Sequence, residues 1–256
     1  AALDELSGGR VCLGLSAGAG DFLRWIGLPA ERPFTRTAET LTALRALFAG
    51  ARVPGAGVEL HGWTEEAYLR FPARPIPLYL GAMSPRMLGL IGSSADGGLP
   101  LLFPPEHYAE VMQHIRDGAT AAGRNVDQID VAACVWVAVS DDCAAARDAL
   151  CEKIAYYGPA LSDLILNRLG VARTEFAPIA HALHVEHDVV RARSMVSDAM
   201  LRIGVVGTSR DLIERLEGLV AQGARHLSFG PPLGPDPLAA LHVIGRDVIP
   251  HFRRTT

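Results

Sequence analysis

"IPLYLGAMSPRM", residues 76–87, contains the turn on which the reading of the whole chain depends. Five strand-type residues, 76–80, run into Gly81 and Ala82, and the sequence restarts as a helix through Ser84 and Pro85. Serine is a favoured N-cap, and proline is favoured at the first helical position, where its missing N–H does no harm. The stretch therefore reads as a strand whose C-terminal end faces the open N–H groups of a new helix. Such an end attracts anions, because those groups lack partners and the helix dipole is positive there. A tight turn with an ordinary cap is the plainer reading of the same residues.

The pattern repeats on both sides. Short apolar runs at 11–15, 97–103, 131–139 and 225–230 read as further strands. Helical stretches follow them from Pro33, from Pro104-Pro105 to Gly123, from about Asp141 to Tyr157, and from Thr208 to Gly223. A terminal helix is expected in "DPLAALHVIGRDVIPHF". Alternating strand and helix signals indicate βα units around a parallel sheet. Thr208 and Asp211 have the spacing of a capping box, and Gly223 that of a helix stop. Residues 51–75 read as an excursion between a helix and a strand, and 158–206 as an irregular helical stretch.

Five βα units fall short of the eight that close a barrel, although five suffice for an open doubly wound sheet. The chain does not begin with Met, and "AALDELSGGR" reads as a helix already under way. These features lead us to expect a (β/α)8 barrel, one domain over 1–256, with its first three strands absent from this sequence. Residues 51–75 and 158–206 would be its variable regions.

The 256 residues are 49% hydrophobic and 20% charged, enough for a sizeable core. A net charge of −4 argues against a protein that grips nucleic-acid phosphates. The longest apolar run, 131–139, is too short to span a bilayer. Cys12, Cys134, Cys143 and Cys151 form no C-x-x-C pair, and Cys12 and Cys134 lie in apolar runs. Buried free thiols and a cytoplasmic location follow as expectations.

Several residues invite a chemical role. "GLSAG" (14–18) fits the G-x-S-x-G nucleophile elbow and would make Ser16 the nucleophile of a serine hydrolase. The several strands such an enzyme places before its elbow are not visible. As a ligand loop, Ser16, Ala17 and Gly18 let the backbone pass close to a flat ring. Gly81, Ala82, Met83 and Ser84 would hold an anion. Gly230 and Gly234 follow the last strand, where barrels often build phosphate sites; Asp236 beside them equally suits a helix cap. Asp96 precedes a strand and reads as structural. His181, His184 and His187 lack the i, i+4 pair with an adjacent Glu that zinc helices use. Lys153, the only lysine, is placed mid-helix, which argues against a Schiff-base aldolase needing lysine at a strand end.

The segments "LDELSGGRVCLGLSAG" (3–18), "IPLYLGAMSPRMLGLIGSSADGGL" (76–99) and "RHLSFGPPLGPDP" (225–237) resemble the luciferase-like flavin and deazaflavin oxidoreductases. The similarity is greatest to the branch typified by methylenetetrahydromethanopterin reductase. It implies a (β/α)8 barrel that binds coenzyme F420, or alternatively FMN, at the C-terminal ends of its strands. It places "LDELSGGR" between the third and fourth barrel strands, again implying that three strands precede it. It further implies hydride transfer to or from a small organic substrate, and assembly as a homo-oligomer such as a dimer. An FMN-dependent monooxygenase and a non-catalytic flavin-binding relative are the alternatives. Relatives often carry an acidic residue where this chain has Ala19, which leaves Asp21 as the candidate proton carrier.

Overall fold

The computed structural model describes residues 1–28, 30–71 and 73–253, with every side chain among them except that of Asp21. The chain divides into two compact units. One comprises residues 1–100 and 110–132; the other comprises 101–109 and 133–256.

The first unit opens with α1 (Ala2–Ser7), then β1 (Leu13–Ser16), α2 (Gly20–Trp25) and α3 (Pro33–Phe48). After the excursion come β2 (Leu78–Ala82), α4 (Pro85–Ser94), β3 (Gly97–Pro100) and α5 (Tyr108–Ala121). β1, β2 and β3 are parallel, with Ser16 opposite Gly81 and Gly81 opposite Leu99. β4 (Asp130–Val139) joins them through Asp130 opposite Gly97 and Val131 opposite Gly98.

Alternation along these strands sorts side chains onto two faces. Leu78 and Leu80 are fully buried, as are Leu88 and Ile91 of α4. A Cβ at Gly98 would lie 2.8 Å from Ile91, so only glycine lets β3 lie this close to α4. On the opposite face, the Tyr79 hydroxyl donates to Asp130 at 2.7 Å, and Gly97 leaves room for the Tyr79 ring.

Helices α4 and α5 touch backbone to backbone. A Cβ on Gly92 would stand 2.0 Å from the Ile115 carbonyl oxygen, and one on Gly118 2.0 Å from that of Gly89. The C-terminal carbonyls of α4 are answered by two arginines. Arg124 donates to Gly92 and Ala95, both at 2.7 Å. Arg45 donates to Ser94 at 2.8 Å and meets Asp96 at 3.0 Å. Asp96 also accepts from the Leu78 N–H at 2.8 Å, so it has the structural role its position suggests.

In the second unit, β4 continues as a wholly buried strand, paired at its end with β5 (Val205–Gly207) and also paired with β6 (His226–Leu233). Between them run α6 (Cys143–Tyr157), α7 (Asp163–Leu169), α8 (Phe176–His184), α9 (Val189–Ser194) and α10 (Asp198–Leu201). Phe176, Leu150, Ile154, Ile179 and Ile203 lie in their common core. The chain closes with α11 (Ser209–Ala221), α12 (Pro237–Val243) and α13 (Ile249–Arg253). The expected capping box is present, Thr208 and Asp211 bonding reciprocally. Asp236 caps α12 by accepting from Leu238 and Ala239.

Some expectations are corrected. β5 interrupts the stretch read as helical up to residue 206, and α2 forms where a loop was expected. β2 begins and ends two residues later than the run 76–80, and β6 continues through a cis Pro231-Pro232 bond. Cys12 is exposed, because it precedes β1 instead of pointing into the core, and Cys143 is exposed as well; Cys134 and Cys151 are buried. No helix among the described residues is long and apolar enough to cross a membrane.

Candidate functional site

Ser16 and Gly81 occupy the last paired positions of β1 and β2, side by side. A Cβ on Gly81 would come within 3.3 Å of the Ser16 Cβ, a tight contact that glycine avoids. Ala17 and Gly18 continue from β1, with Gly18 at φ +77°, a backbone conformation that favours glycine. A cavity of about 120 Å³ opens beside them, lined by Ser16 and Ala17 and, on α3, by Arg36, Thr37 and Thr40.

From Gly81 the chain passes through buried Ala82 and exposed Met83 to Ser84, the N-cap of α4, and Pro85. Ser84 occupies the cap position with extended backbone angles, yet its side chain makes no cap hydrogen bond. Ser84 is exposed, so no side-chain cap closes the first turn of α4. Arg86 follows, its guanidinium 4.3 Å from the centre of the Phe34 ring of α3. The strand end and the Ser84-Pro85 helix start read from the sequence thus form, followed by an arginine that sequence reading did not single out. Its stacking on Phe34 links positions more than fifty apart in sequence, and no local signal marks such a contact.

The other expected residues have different surroundings. Gly230 faces Trp136, 2.9 Å from where its Cβ would stand, and the Gly234 position faces the Val139 carbonyl oxygen at 2.6 Å. At both positions the missing side chain makes room for β4. Asp21 belongs to α2, but its side chain lies outside the described ones. Ser16 is an ordinary last residue of a strand. The non-glycine residues with positive φ among those described are Arg32, His187 and Leu233, so the strained turn of a nucleophile elbow is missing at Ser16 and the hydrolase reading fails. His181 meets Glu186 at 3.4 Å, and His184 packs its ring near Tyr156. Among the described residues, no group of three or more His, Cys, Asp or Glu is disposed to hold a metal ion.

The second unit contains a larger cavity, about 590 Å³, along α6, α10 and α11. Its charges include two ion pairs, Arg147 with Asp198 at 2.7 Å and Arg215 with Glu106. None of the residues expected from the sequence lines it.

Comparison with known proteins places this architecture. The 5,10-methylenetetrahydromethanopterin reductase of Methanolobus tindarius is 32% identical over 250 residues, covering 96% of this chain and 76% of the relative. An F420-dependent glucose-6-phosphate dehydrogenase of Microbacterium testaceum is 30% identical over 263 residues, covering 99% of this chain and 72% of the relative. The solved structure of the coenzyme F420-dependent tetrahydromethanopterin reductase from Methanopyrus kandleri matches with a TM-score of 0.86 at 28% identity, over 98% of this chain and 77% of that one. The fold class is therefore the luciferase-like α/β barrel type. The family model described as luciferase-like monooxygenase matches residues 1–226, and the chain belongs to that family.

Proposed function

We propose that the chain is an F420-dependent oxidoreductase that moves a hydride between the deazaflavin and a small organic substrate. The observation that carries this is the start of α4: a glycine–alanine strand end running into a helix whose Ser84 N-cap makes no side-chain cap bond, with Arg86 in its first turn stacked on Phe34. These are donors for a phosphate-bearing side chain, and they agree with the F420 dependence in the names of two of the relatives above, the glucose-6-phosphate dehydrogenase and the Methanopyrus kandleri reductase. Bound F420 would supply the hydride chemistry itself.

The residues of the chain have the remaining tasks. Ser84 and the α4 N–H groups bind the anionic tail, and Arg86, held against Phe34, adds a charge that cannot be deprotonated. Ser16, Ala17 and Gly18 present a low backbone surface against which a flat ring can lie. The cavity beside them, with Thr37 and Arg36, offers the substrate a small, partly polar recess. Asp21, next to this loop in sequence, is the carboxyl assigned to proton exchange with the substrate.

Titration with F420, and separately with FMN, followed by fluorescence, tests the reading. Saturable F420 binding is expected, weakened about tenfold or more by Gly81→Val, whose side chain crowds Ser16. Thermal melting of the variant separates lost binding from lost folding. Binding of FMN alone would favour the monooxygenase alternative, and F420 binding indifferent to Gly81→Val would remove the α4 turn from the site.

A further inference from the structure

Lys153 of α6 has its ammonium 3.9 Å from the centre of the Tyr157 ring and 5.0 Å from that of Trp136. The surrounding cations are differently placed. Arg147 meets Asp198, Arg173 meets Asp163, Arg191 meets Glu186, and Arg193 lies between Asp148 and Glu152. Lys153 has no carboxylate within ion-pair distance among the described residues, although Glu152 is its neighbour in sequence. Burial pushes its ammonium down from the ordinary lysine range.

The ring faces offset part of that cost. A cation over an aromatic face is attracted by the ring quadrupole, and the two rings hold the ammonium in place. The shelf itself is firmly built. Trp136 is buried on β4, packs edge-on against Phe103 at 4.8 Å, and rests against Gly230. Tyr157 and the exposed Tyr156 extend it toward solvent, 4.9 Å apart. The result is a positioned positive charge with an unfilled counter-charge and an aromatic border.

We propose that Lys153, with Tyr156 and Tyr157, is a recognition site for the carboxylate or phosphate of a small organic molecule. The ammonium supplies a compact point charge, and the exposed aromatic edge takes the apolar body of the ligand. The site shares no residue with the α4 turn, and its test uses no F420, so the two readings fail independently.

The experiment uses the full chain carrying Trp25→Phe and Trp63→Phe, which leaves Trp136 as the only tryptophan. Benzoate, inorganic phosphate and neutral benzyl alcohol are titrated, with binding read both by Trp136 emission and by calorimetry. Saturable binding of benzoate, of phosphate or of both is expected, and the stronger of the two identifies the preferred anion. Lys153→Met and Lys153→Gln should each raise the dissociation constant about tenfold or more, with Lys153→Arg partly restoring it. Melting curves identify any variant that fails to fold, and the others then decide. Absence of saturable anion binding, equal binding of benzyl alcohol, or unchanged affinity in folded Lys153→Met or Lys153→Gln would overturn the proposal.

Discussion

Alanine at Gly118 should destabilise the first unit, while alanine at its contact partner Gly89 should stabilise it. Both glycines are interior to helices, where alanine is favoured by about 1 kcal/mol. The contact between them is one-sided. A Cβ on Gly118 would fall 2.0 Å from the Gly89 carbonyl oxygen and 2.8 Å from the Gly89 Cα. A Cβ on Gly89 would meet nothing nearer than the His114 carbonyl oxygen, at 3.9 Å. Real Cβ contacts do not fall below 3.0 Å, so Gly118→Ala forces α4 and α5 apart by about 1 Å. Overpacking of this kind costs about 3 kcal/mol, leaving a net loss of about 2 kcal/mol after the helical gain. Gly89→Ala keeps the gain and should be stabilising by up to about 1 kcal/mol. Urea unfolding of the two variants, followed by circular dichroism, provides the comparison. Equal signs, or a neutral Gly118→Ala, would refute the view that backbone contact fixes α4 on α5. Because α4 begins at the proposed binding turn, folded Gly118→Ala should also bind F420 more weakly.

Two further outcomes depend on pH. Hydrogen bonding to Asp130, aided by burial, pushes the Tyr79 hydroxyl up to about 12 from 10.0. Between those values the unfolded chain has lost a proton that the folded chain keeps, so stability falls as pH rises across the window. Tyr79→Phe should flatten that fall and cost about 1 kcal/mol at neutral pH, measured by urea unfolding at a series of pH values. Glu39 accepts from the backbone N–H groups of Val58, Glu59 and Leu60 at 2.8, 2.8 and 3.3 Å. Desolvation pushes its carboxyl up, but those three donors outweigh it and hold it below the ordinary range. The anchorage it gives to the excursion is therefore present above the ordinary carboxylate pKa and lost as pH falls through the lowered one. Limited proteolysis should show the segment around 58–60 opening in acid, and Glu39→Gln should open it at neutral pH as well. A segment equally protected in Glu39→Gln would show that other contacts hold it.

The alternation of strands and helices was legible because apolar runs such as 131–139 are long and bounded by clear turn residues. The small residues Gly81 and Ala82 have little strand character, so the end of β2 was placed too early although they pair in register. β5 is three residues long, too short for a periodicity to show. The strand-to-helix turn at Gly81–Pro85 was legible for a local reason, since cap, proline and glycine are neighbours in sequence. Arg86 on Phe34 and Lys153 on Trp136 were hidden for the opposite reason, as each joins residues far apart along the chain. Gly230 and Gly234 show the limit of composition: a glycine after a strand marks a close approach, but not by what. Here the approaching group is β4.

The two ends of α4 are treated unequally, and this reaches beyond the helix itself. Arg45, itself paired with Asp96, and Arg124 satisfy the carbonyls of its far terminus, while the near terminus has no side-chain cap. Ten residues of helix separate them by about 15 Å. At that distance, and with Arg45 exposed and paired with Asp96, the arginine charges are largely screened from the near terminus. What reaches the turn is mechanical: anchoring the far end of α4 helps to hold its first turn in place beside the strand ends. Two arginines distant from the proposed binding turn thereby help to fix its position.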